Sequence, residues 1–222
     1  MDNVAMNTVD PSPNDSQPEV SPAVADALTS ADGISVWIAE HHPGKIMATR
    51  NHRLAAPHFA VCLEHRNAAL MLVSQNMRGS AFALWRPTYE NYMRGHWALN
   101  VAADKDFQQI AKTKAVPKFD TVIRALDGKV TSGTFAKTKG KLWDPMSDFA
   151  HGGLKLLARW SGPDGIESNH PDDEVLDLIV RLNTYGLLAT MGINYMAGEH
   201  GLPESIFVEK VTAVLPGIKA LA

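Results

Sequence analysis

From residue 23 onward, apolar side chains recur at intervals of three and four, the period of a helix with one buried face. Residues 23–42 read as one or two short helices. "HHPGK" (41–45) stops them, with histidines suited to a helix C-terminus and Pro43-Gly44 breaking the period. The pattern then predicts a long helix over 53–76 and a second over 79–102. A shorter one spans 104–114 behind Asp104, and Pro117 leads into a helix that ends near 126. Asp144 and Pro145 suit the N-cap and first position of a short helix that stops at Gly152-Gly153. Residues 160–170 read as a loop, Pro171 opens an apolar helix to about 197, and "LPESIFVEKVTAVL" (202–215) forms the last. Strand-like alternation is nearly absent, with "GKVTSGTF" (128–135) as its one weak instance. Residues 1–22 are rich in Asn, Asp, Ser and Pro and cannot offset the entropy of ordering. The expected architecture is an all-α single-domain helical bundle over 23–222 behind a disordered acidic tail over 1–22.

Composition agrees with a packed domain: 222 residues, 45% hydrophobic and 20% charged. The net charge of −3 argues for no class of partner by itself. Cys62 is the only cysteine, so an internal disulfide is excluded and a reducing cytoplasm is the expected location. Seven acids precede the first basic residue, Lys45, which is unlike a secretory signal or a transit peptide. The longest apolar run, within 186–198, is shorter than the roughly 20 residues a membrane span needs, so no membrane is expected among the partners. There is no phosphate-cradling glycine loop, zinc-knuckle spacing or H-E-x-x-H helix, and no cofactor is expected.

Candidate chemistry centres on "WRPTYENYMRGHW" (85–97). On a helical wheel Arg86 falls at the middle of the apolar arc made by Phe82, Tyr89, Met93 and Trp97, with Glu90 and Arg94 toward its edge. Charges on a buried face must be paired, and the i,i+4 spacing lets Glu90 reach both arginines. They form either a structural ion network or the lining of a polar cavity that holds a small anionic ligand. A second cluster lies in "DPMSDFAHGG" (144–153), where Asp148 and Ser147 are within reach of His151. Asp148 there would orient the imidazole as a general base or simply seat the helix, which makes His151, Asp148 and Glu90 the catalytic candidates. His58, Cys62 and His65 share a face at i, i+4, i+7, a spacing that suits a metal as well as ordinary packing.

The set R-P-x-x-E, R-G-x-W and S-D-x-x-H-G stands here as Arg86, Pro87, Glu90, Arg94, Gly95, Trp97, then Ser147, Asp148, His151 and Gly152. It resembles a group of uncharacterised bacterial helical proteins over about residues 50–200, which implies a fold and no activity. A looser resemblance, carried by Arg53 and His58, is to the HEPN superfamily of helical bundles. It implies an Arg–His pair acting on RNA phosphates. Residues 105–141 carry nine Lys or Arg against three Asp, and "FAKTKGK" (135–141) reads as a flexible basic loop suited to phosphates. Three functions remain open. The first is a binding or interaction module whose Arg86, Glu90, Arg94 and His151 recognise an anion. The second is a HEPN-like ribonuclease or toxin-system component, and the third a purely structural bundle that assembles as a homo-oligomer.

Overall fold

The computed structural model describes residues 20–161, 165–166 and 168–198. In chain order its helices are α1 (Pro22–Glu40), α2 (Arg50–Ser74), α3 (Arg78–Ala83), α4 (Trp85–Asn100), α5 (Asp104–Thr113), α6 (Phe119–Lys129), α7 (Thr134–Ala150), α8 (Leu154–Ala158) and α9 (Asp172–Ala197). The architecture is an all-α single-domain bundle. Most of the expected tail and the expected helix over 202–215 lie outside the described residues. Among those described, no helix is long and apolar enough to cross a membrane.

Local chemistry explains the boundaries and the corrections to them. The stretch 23–42 is a single helix of 19 residues, entered through Ser21, whose hydroxyl accepts from Val24 N–H, and Pro22. These two residues therefore belong to the helix entry and not to a tail. α2 starts at Arg50, three residues upstream of the expected start, because Thr49 caps it by accepting from His52 N–H. The helix expected over 79–102 breaks at Leu84. Pro87 explains the break, because it has no N–H to offer the carbonyl four residues back and its ring crowds that carbonyl. The expected strand 128–135 spans the end of α6, a turn at Gly133 (φ 92°) and the start of α7. The expected basic loop 135–141 and the expected short helix at 144 are both parts of α7, which carries Pro145 in its interior.

α2 and α4 form the most extensive helix pair, and α9 packs across both. The close approach depends on the Phe59 ring, which fills a slot between two glycines. A Cβ at Gly95 of α4 would lie 2.6 Å from one edge of the ring, and one at Gly192 of α9 would lie 2.6 Å from the other. Gly192→Ala should therefore destabilise the fold by about 1–3 kcal/mol, although alanine is the better helix former by roughly 1 kcal/mol. Chemical denaturation checks this, and Phe59→Leu in the same chain should recover part of the loss. A stabilised Gly192→Ala protein would mean that the slot is loose.

Candidate functional site

α4 is buried on nearly all sides, against α2, α3, α6, α7 and α9. Its apolar positions therefore wrap most of the circumference and do not form one arc. The correction concerns Arg86, which is not at the centre of a buried face. Arg86 and Glu90 keep 21% of their side-chain surface and Arg94 keeps 15%. The three side chains line a half-open pocket of about 340 Å³ together with Pro87, Asn91 and His151.

Within it, Arg86 Nε donates to Glu90 Oε1 at 2.8 Å, and Arg94 Nη2 lies 3.6 Å from Glu90 Oε2. Arg86 Nη1 donates to Ser147 Oγ at 3.2 Å and to His151 Nε2 at 2.6 Å, so the clusters of α4 and α7 meet. A guanidinium only donates, so His151 Nε2 is the acceptor of this bond. Arg94 Nη1 donates to Pro117 O at 2.7 Å. Trp143 backs the pocket, with the Arg86 guanidinium 4.3 Å from its ring centroid and the Lys139 ammonium 4.5 Å from it. Phe119 stacks on the same indole at 5.1 Å. Phe119, Arg86 and Lys139 thus all pack on this indole and compete with any nucleobase that would stack there.

Asp148 does not orient His151. Its carboxylate accepts from Lys155 N–H and so caps α8. Gly153 makes this possible, since a Cβ there would sit 2.0 Å from Asp148 Oδ1. Glu90 is held between two arginines, His151 Nε2 accepts a hydrogen bond from Arg86, one of the two, and Asp148 is committed to Lys155, so none of the three catalytic candidates stands free as a base.

A family match runs over residues 59–213, most of the chain. The chain belongs to DUF6988, a family of unknown function. Neither a curated protein nor a solved structure matches it. The DUF6988 match contains Arg86, Glu90, Arg94, Asp148 and His151, and begins just after Arg53 and His58.

In this DUF6988 chain Arg53 is exposed and its Nε donates to Ala48 O, whereas His58 Nδ1 pairs with Asn91 Oδ1 at 2.9 Å. Burial holds the His58 imidazole below its ordinary pKa. Cys62 points elsewhere, with its sulfur 4.0 Å from Tyr185 O and its thiol pushed up to about 12 by burial. His65 makes no third ligand with them: among the described residues no group of three or more His, Cys, Asp or Glu is placed to hold a metal.

The fully buried arginine is a residue that the sequence analysis passed over. Arg66 has 0% exposure, and all five of its N–H groups are used. Nε and Nη2 donate to Asn183 Oδ1, Nη2 also to Ala31 O, and Nη1 to Ser35 Oγ and Asn67 Oδ1. One guanidinium therefore ties α1, α2 and α9 together. A signal for it existed, because His52, Ala55, Phe59, Cys62, Arg66, Ala69 and Val73 alternate by three and four, which puts Arg66 in the core register.

Proposed function

We propose that this DUF6988 chain is a binding module that recognises a small oxyanion, with Arg86 and Arg94 as its recognition residues. The observation that carries the reading is the contrast between the arginines. Arg66 donates through every N–H it has. Arg86 Nη2 and Arg94 Nε have no hydrogen-bond partner among the described residues, and Arg94 Nη2 only a long ion pair with Glu90. Two guanidinium groups share one carboxylate, so the pocket keeps a net positive charge, and planar donor forks suit phosphate or carboxylate oxygens. The pocket volume of about 340 Å³ lies within the range of small-molecule sites. The groups packed on Trp143 favour a small anion over a nucleotide.

Inorganic phosphate is the first probe. At ten times its dissociation constant it should stabilise the chain by about 1.4 kcal/mol, a rise of roughly 3–5 °C in Tm. Arg86→Gln should abolish that rise while the circular dichroism of the fold persists, and Lys112→Gln, on the exposed face of α5, should keep it. A parent protein whose Tm ignores phosphate and sulfate would overturn the reading. RNA should be neither retained nor cut, and cutting that His58→Ala removes would establish the ribonuclease reading in its place.

A further inference from the structure

A second cavity, of about 570 Å³, shares no lining residue with the arginine pocket. Its floor is aromatic, made by Phe82 of α3, Trp85 of α4 and Phe149 of α7. Lys155 of α8 and Arg159, the residue just after α8, contribute to its lining, and the first two turns of α9 supply Asp173, Glu174 and Asp177. Among these charges two pairs are already closed. Arg159 is bonded to Glu174 and ties α8 to α9, and Arg181 is bonded to Asp177 at 2.6 Å. What remains, among the described residues, is one carboxylate on α9, Asp173, and one ammonium on α8, Lys155. Both side chains are exposed, so their charges are available to a ligand. Lys155 is also fixed at its backbone, because its N–H is the group that Asp148 caps.

A site of this volume with an apolar floor and few polar groups is built to orient a small molecule. A carboxylate on one element and an ammonium on another call for a ligand that carries both complementary charges. We propose that the cleft binds an aromatic zwitterion, a free amino acid or dipeptide with an aromatic side chain. The ring lies on Phe82, Trp85 and Phe149, the ligand ammonium faces Asp173, and its carboxylate faces Lys155.

Three probes that differ only in their charges test this by ligand-observed NMR: L-phenylalanine, phenethylamine and 3-phenylpropionate. L-phenylalanine should bind about 3- to 5-fold more tightly than either analogue, the strength of one exposed ion pair. Asp173→Asn should weaken L-phenylalanine and phenethylamine but leave 3-phenylpropionate unchanged. Lys155→Met should weaken L-phenylalanine and 3-phenylpropionate but leave phenethylamine unchanged. Failure of all three to bind overturns the proposal. So does equal binding of all three, or a variant that weakens every probe alike. Both positions are exposed, and circular dichroism confirms that each variant is folded.

Discussion

Asn183→Leu should destabilise the protein by about 3–5 kcal/mol, and adding Arg66→Met should restore much of that loss. The first change is nearly isosteric, so packing alone would make it mild. Its effect comes from Arg66. Asn183 Oδ1 accepts from both Nε and Nη2 of a guanidinium that has no exposed surface. Burial pushes that group down to about 10, which leaves it charged at neutral pH. Leucine at 183 would strand two donors of a buried cation. No carboxylate is hydrogen-bonded to the group, so its remaining partners are two neutral side chains and one backbone carbonyl.

Arg66→Met alone leaves Asn183 buried without its donors, at roughly 1–3 kcal/mol. The double variant removes both sides of the interaction and leaves apolar atoms in contact. Gly186 sets a limit on what fits, since a Cβ there would lie 2.5 Å from Arg66 Cδ, and methionine keeps an unbranched stem in that space. A double-mutant cycle from urea midpoints at constant m measures the coupling. Additive single effects would show that Arg66 is not held through Asn183.

The two kinds of arginine also show how far the sequence could be read. A helical period survives in the sequence wherever one face is buried, and so the helical class and the position of α9 were legible. The wheel misplaced Arg86 because α4 touches five other helices, and a helix buried on most sides has no single arc for a wheel to find. In α2 the heptad-like stripe was present but its polar members drew attention to His58 and His65, which flank it. Arg66, inside the stripe, looked like an ordinary surface charge. Arg86 and His151 were expected in one recognition set, but the packing that brings them together was not legible. It depends on α7 running 17 residues through Pro145, where the sequence pattern suggested a new start. Asp148 was placed correctly near a helix terminus, but the helix it serves begins beyond Gly153.

His170 provides the second large effect, as a loss of stability in mild acid. Its ring is 3% exposed and stacks on Phe82 at 4.9 Å, with Phe149 at 5.8 Å. Among the described residues neither ring nitrogen has a hydrogen-bond partner. Burial first, then the nearby guanidinium groups of Arg159 and Arg78, bring the imidazole from 6.5 down to about 4. The unfolded chain therefore takes up a proton as pH falls through 6.5, while the folded chain stays neutral at this position until about 4. Stability rises with pH across that window and is lost on the way down, by about 3 kcal/mol at full span. His58 and His96 are lowered in the same direction by burial, so they add to the slope. Asp120, Asp127 and Asp172 are held below their ordinary value and contribute in more acidic solution. His170→Phe keeps an aromatic ring on Phe82 and removes the proton site. Urea midpoints at pH 7.5, 6.5, 5.5 and 4.5 should fall steeply in the parent and much less in the variant. The difference should open below about 6.5, where the unfolded imidazole begins to charge. Parallel curves for the two proteins would mean that His170 takes its proton equally in both states and that its ring is not sequestered from water.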